Sequence, residues 1–116
     1  MGWAMRLIDK LTAGARQEFT VVTEEGDEIS LLLWYAASQQ TWFFDVTSGD
    51  FVLQGAQLTV SLNILRAYNN ILPFGFSVTS TDGEDPFYLD DFISGRIKLF
   101  LLSREDVDTI ESDLFE

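Results

Sequence analysis

Glu28 to Val60 reads EISLLLWYAASQQTWFFDVTSGDFVLQGAQLTV. Three apolar runs of strand length are separated there by clusters of Ser, Gln, Gly and Asp, the pattern of a β-meander. In the first run Ile29, Leu31, Leu33 and Tyr35 share one face of a period-2 strand, and Leu32 and Trp34 make the opposite face apolar as well. In the second run Trp42, Phe44 and Val46 oppose Phe43, Asp45 and Thr47. One face is therefore expected to be core, and the second needs a cover of its own.

Working outward from the meander, Gln17 to Thr23 alternates, with Phe19 and Val21 on one face and Thr20 and Val22 on the other. Glu24-Glu25-Gly26-Asp27 then supplies a turn in which Gly26 can take positive φ, making a hairpin with the strand from Glu28. The spacing of Leu58, Leu62, Leu65 and Tyr68 suits a helix face, while Leu58, Val60, Leu62 and Ile64 suit a strand. The reading adopted is a strand ending near Val60 and a short helical turn around Asn63 to Tyr68, closed by Asn69-Asn70. Pro73 bars a helix beyond it. Phe74, Phe76 and Val78 alternate with Gly75, Ser77 and Thr79, as in a strand buried on one side. Ile97, Leu99 and Leu101 oppose Phe100 and Leu102 in a last strand. Ser103 with Asp106 three residues on resembles a helix-capping signal, with Asp in place of the usual Glu or Gln.

These runs give about seven short strands at intervals near ten residues, which predicts an all-β fold. The expected form is a compact antiparallel sandwich or small barrel with a short helical segment and a short C-terminal helix. The 116 residues are one domain by length. Within it, residues 1–16 read as an N-terminal arm, extended or briefly helical, 17–102 as the β-domain and 103–116 as an acidic tail.

Charge narrows the partners. With 19 acidic and 7 basic residues the formal net charge is -12, so a polyanion or an anionic membrane surface meets repulsion rather than a Lys/Arg footprint. Neither nucleic acid nor a membrane is expected as a partner, and basic protein surfaces are favoured. No apolar run approaches the 18 residues of a membrane span. The first residues lack the basic start and apolar run of a signal peptide.

The chemical inventory is short. The chain has no His and no Cys, which removes nucleophile-base catalysis, disulfides and thiolate metal sites. Asp45 with Asp50, or Asp90 with Asp91, are the carboxylate pairs that glycosidase chemistry would need, yet no motif accompanies them. Catalytic residues, cofactors, metals and a small-molecule substrate are not expected. The loop Asp82-Gly83-Glu84-Asp85 and Asp90-Asp91 gather five carboxylates in ten residues; Ca²⁺ takes such oxygens, although the spacing is not that of an EF-hand. Gly83 and Gly95 are expected in turns with positive φ. Trp34, Trp42, Phe43 and Phe44 are candidates for a sugar platform, or for core plus a covered sheet face, the reading their strand period favours.

Gln17 with Thr20, Gly26, the Leu-rich strand, Trp42 with Asp45, Gly49, Gly55 with Leu58, Leu65 with Tyr68, Gly75 to Val78, Gly83-Glu84-Asp85-Pro86, Asp91, Gly95-Arg96 and Leu99 together resemble the baseplate plug family of contractile-tailed bacteriophages, the cyanophage type included. The match runs from about Gln17 to Leu102. The resemblance implies a structural virion protein of the tail baseplate, at or near the hub and tail tube, as a plug or bridging component without catalysis. It implies other tail and baseplate proteins as partners, with copies of itself among them. The alternative is a carbohydrate- or calcium-binding β-sandwich module. Protein contact is expected through Leu32, Trp34, Phe43 and Phe100, and through the tail, where Val107, Ile110 and Leu114 would give a short acidic helix one apolar stripe.

Overall fold

The computed structural model of the chain describes residues 5–9 and 11–114, the side chain of Leu114 excepted. Two antiparallel sheets lie face to face as an open sandwich, and the barrel alternative does not apply. The larger sheet is the meander in chain order: β2 (Arg16–Val22), β3 (Glu28–Ala36), β4 (Thr41–Ser48) and β5 (Phe51–Gln57). The smaller has the order β1 (Arg6–Leu7), β7 (Ile97–Leu102) and β6 (Gly75–Ser80). A 3₁₀ turn at Arg66–Tyr68 and the helix α1 (Arg104–Leu114) complete the described elements.

Side-chain alternation decides what the sheets bury. Ile29, Leu31 and Leu33 on β3 and Trp42, Phe44 and Val46 on β4 are buried, and the residues between them are not. From the other sheet, Phe76, Val78, Ile97, Leu99 and Leu101 close onto the same core, with Leu58, Leu65 and Phe74 filling its margins. The first hairpin turns where the sequence places it, Gly26 at φ +93°. On β4 and β5, Phe44 pairs with Ala56 and Val46 with Leu53, so Gln54 and Gly55 together oppose Asp45. This is a β-bulge, with Gly55 at φ +71° and its amide donating to Asp45 Oδ1 at 2.7 Å.

Among the described residues of the arm, Arg6 and Leu7 take the extended alternative, held as a strand against Leu101 and Phe100. Three other expectations change. The third meander strand ends at Gln57 rather than near Val60, and the helical turn shrinks to Arg66–Tyr68. The strand at Phe76 is not open on one side: Gly75 and Ser77 are buried too, since Ser61 bridges Val78 and the Ile64 amide donates to Phe76 O at 2.8 Å. Asn63 sits directly over Gly75, where its Oδ1 accepts from the amides of Leu65 and Phe76. Only a residue without Cβ leaves room for it.

Beyond β7 the chain turns into α1 through the expected cap. The Asp106 amide donates to Ser103 Oγ at 3.1 Å and the Ser103 amide to Asp106 Oδ2 at 3.0 Å, a reciprocal capping box. The helix lies on the outer side of β7 and covers Leu102 with Val107 and Ile110. Arg66 Nε bonds Glu111 Oε2 at 2.8 Å and fastens it to the 3₁₀ turn.

Candidate functional site

Two surface features of the chain are built rather than incidental. The first is the outer face of the meander sheet. Register sets Arg16, Trp34, Phe43 and Gln57 in one cross-strand row, and Glu18, Leu32 and Asp45 in the next. Trp34 and Phe43 stack with ring centroids 5.7 Å apart and planes 23° from parallel. Leu32, Trp34 and Phe43 are all partly exposed and lie outside the core cluster. A shallow hollow of about 160 Å³ lined by Leu32, Glu18, Asp45 and Gln54 adjoins them. The patch is apolar at its centre, with Arg16 in the aromatic row and Glu18 and Asp45 in the row beside it.

The remaining expected contact residues are not on this face. Phe100 points to the outer side of the other sheet, partly buried beside Leu7 and Ser77. Val107 and Ile110 are fully buried against Leu102, with Met5 packed alongside. The apolar stripe of the tail is thus turned onto its own chain, and Glu105, Asp108 and Asp113 are left to solvent. The side chain of Leu114 lies outside the described residues. The four aromatics proposed as a sugar platform also divide: Trp42 and Phe44 are core, and Trp34 and Phe43 face the other way.

The second feature is the segment from Ser80 to Arg96, organised by one guanidinium. Arg96 grips Asp91 with two parallel bonds, Nε to Oδ1 at 2.7 Å and Nη2 to Oδ2 at 2.8 Å. Its Nη1 reaches Asp82 Oδ1 at 2.9 Å, and Nη2 reaches the Asp85 carbonyl at 2.9 Å. The guanidinium also lies 4.5 Å from the centroid of the Phe87 ring. Asp91, wholly buried, accepts the amides of Phe87 and Tyr88 at 2.7 and 2.8 Å. Burial pushes the Asp91 carboxyl up, but the hydrogen bonds from Arg96, Tyr88 and Phe87 outweigh it and hold the group below its ordinary range. The hydrogen bond to Asp91 in turn raises the Arg96 pKa against the burial that lowers it. The Ser80 hydroxyl and the Glu84 amide, with Arg96, lower Asp82.

This segment is anchored on the meander. Tyr35 donates its hydroxyl to the Phe87 carbonyl at 2.7 Å and Trp42 its indole N–H to the Tyr88 carbonyl at 2.9 Å. Phe92 packs edge-on to Trp42 at 4.9 Å. Three of the five loop carboxylates are directed to protein donors, Asp82 and Asp91 to Arg96 and Asp85 to the Val60 amide at 2.8 Å. Among the described residues no three acidic groups converge on a point where a metal ion would sit. The carboxylate pairs are likewise separated in use: Asp45 is tied to Gly55, and Asp91 is buried beneath an exposed Asp90.

Sequence reasoning missed Arg96 as an organiser. The signal was present, because it is the single basic residue between Arg66 and Lys98 and follows five carboxylates. It also missed Gln17, whose buried carboxamide bonds Thr12 and Gly14 and clamps the loop before β2. Gln17, Asp45 with Gly55, Asp91 and Arg96 all carry the resemblance: Gln17 fixes a loop to β2, Asp45 and Gly55 lock the bulge between β4 and β5, and Asp91 with Arg96 ties the 81–96 segment together.

A family model described as cyanophage baseplate Pam3 plug gp18 matches residues 5–105. No curated protein matches the chain.

Proposed function

The chain belongs to the cyanophage baseplate plug family, and from that premise we propose that it packs at or near the hub and tail tube, as a plug or bridging component held through the outer face of the meander sheet. Membership makes it a structural protein of the virion's tail baseplate, where other baseplate proteins are its neighbours. A structural role also fits the chemistry of the chain. It lacks His and Cys, and its buried carboxylate Asp91 is neutralised by Arg96 instead of facing a cleft.

The observation that carries the docking surface is the stacked Trp34–Phe43 pair beside Leu32. Aromatic side chains that pack against each other on a half-exposed sheet present large, stiff contact area, the kind that dominates binding energy at an interface centre. The occupant is a neighbouring baseplate subunit or a further copy of the chain. Trp34→Ser tests this. As a hot spot it should cost about 2 kcal/mol or more of binding, roughly thirtyfold in affinity. The isolated variant should melt close to the native chain. Collapse of thermal stability with normal incorporation into tails would make Trp34 a folding residue and overturn the reading.

A further inference from the structure

The loop that Arg96 organises ends in large apolar side chains that the core does not use. Tyr88, Leu89 and Ile93 are 55%, 47% and 59% exposed. They lie on one tight run of turns, with the Asp91 amide donating to Tyr88 O and the Ser94 amide to Asp90 O at 2.9 Å. An exposed apolar group on a slack loop would be unremarkable, because ordering the loop would consume what the contact gains. Here the backbone is fixed beforehand. Asp91 accepts from the amides of Phe87 and Tyr88, and Tyr35 and Trp42 donate to the carbonyls of the same two residues. The Tyr88 ring is steadied by Phe87, 4.3 Å away between centroids.

Charge states what the projection fits. Residues 81–95 contain no Lys or Arg, and Asp82, Glu84, Asp85 and Asp90 are exposed around it. The Arg96 guanidinium is spent inward on Asp91 and Asp82. A second copy meeting this loop symmetrically would set the same carboxylates against each other, at a net charge of -12 on each chain. We propose that the Tyr88–Ile93 turn is a preformed docking knob that inserts Tyr88, Leu89 and Ile93 into an apolar pocket rimmed by Lys or Arg on a different baseplate protein. The knob is distinct from the outer sheet face. It sits at the end of the sandwich where the inward-facing Tyr35 and Trp42 reach it, whereas Trp34 and Phe43 point to the opposite side of that sheet. The inference rests on the chain being a baseplate part and not on the sheet-face contact.

The test is complementation, in which the chain is supplied in trans to phage carrying a nonsense mutation in its gene and the copies per purified tail are counted by mass spectrometry. Tyr88→Ser with Ile93→Ser should leave the melting temperature nearly native, since both side chains are over half exposed, and should lower incorporation by about tenfold or more. Asp90→Asn should weaken incorporation less and reduce its sensitivity to salt. A photo-crosslinking residue at position 89 in the otherwise native chain should capture a peptide of another baseplate protein that contains Lys or Arg. Native incorporation of the double variant overturns the proposal, and so does a crosslink at 89 to a further copy of this chain or to no other protein. If the double variant fails to fold, the crosslink decides. Trp34→Ser is scored alongside, so loss of the sheet face and loss of the knob are read separately.

Discussion

Replacing Asp91 by Asn should damage this protein more than any other single loss of charge described above. The carboxylate is wholly buried and its four short contacts come from Arg96 twice and from the amides of Phe87 and Tyr88. Asn keeps the shape, but its carbonyl can replace one oxygen only, and its NH₂ faces donors. Removing one partner of a buried ion pair strands the other, at a cost of about 3 to 5 kcal/mol. For a chain of this length about 4 °C of melting temperature corresponds to each kcal/mol, so a fall of about 12 to 20 °C is expected. The assay is thermal unfolding at pH 7, followed by far-ultraviolet circular dichroism in low salt and in 1 M salt. Asp82→Asn is the control: it touches the same guanidinium from a half-exposed position and should be nearly silent. A loss of less than about 1 kcal/mol for Asp91→Asn would refute the claim that the pair organises the loop.

Other outcomes follow from the same geometry. Because the folded Asp91 carboxyl is held below its ordinary range, its stabilisation is complete above the unfolded value of about 3.9 and is lost as pH falls through the lower folded value. The gap in melting temperature between native chain and Asp91→Asn should be flat from pH 7 to about pH 5 and shrink below about pH 4; a gap undiminished near pH 2 would count against it. Gly75→Ala places a Cβ against the Asn63 side chain, which is pinned by the amides of Leu65 and Phe76. A loss of about 2 to 4 kcal/mol is expected in urea unfolding, and a variant as stable as the native chain would show that Asn63 moves freely. Ser103→Ala removes the acceptor of the Asp106 amide and should cost about 1 kcal/mol, with a matching drop in helical signal.

What the sequence made legible was the periodic and the local. Phe43 and Phe44 sort to opposite faces because successive strand residues must, and the register agrees. Ser103 and Asp106 cap α1 within three residues of each other, so the signal needs nothing from the rest of the chain. Gly26, Gly83 and Gly95 all take positive φ in turns. Features set by pairing across the chain were hidden. The two-residue strand Arg6–Leu7 is a strand only because Leu101 and Phe100 lie beside it. The outer side of β6 looks polar in sequence, yet Gly75 and Ser77 are buried, where the Ser61–Ile64 segment pairs along the strand's free edge and Asn63 folds over Gly75. The tail stripe of Val107 and Ile110 was recognised as apolar, but its period does not say whether its own chain or another covers it. The family pattern was legible as isolated residues; the loop clamp, the bulge and the ion-paired turn that they build needed coordinates.

The bulge at Gln54 and Gly55 bears on how such a part is kept from joining its own kind without limit. β5 is the last strand of the meander sheet, and the unpaired backbone at a sheet margin is a template onto which any passing strand can be copied. Two residues opposite one, locked by the Asp45 carboxylate on the Gly55 amide, put that margin out of step with a straight strand. Ladder growth is interrupted there without any loss to the core behind it. Recruitment is then left to side chains, whose shapes differ from one protein to the next, and not to the peptide groups that every protein shares. A particle built from many chains at high local concentration benefits from that distinction, and the bulge at Gln54 and Gly55 provides it at one point of β5.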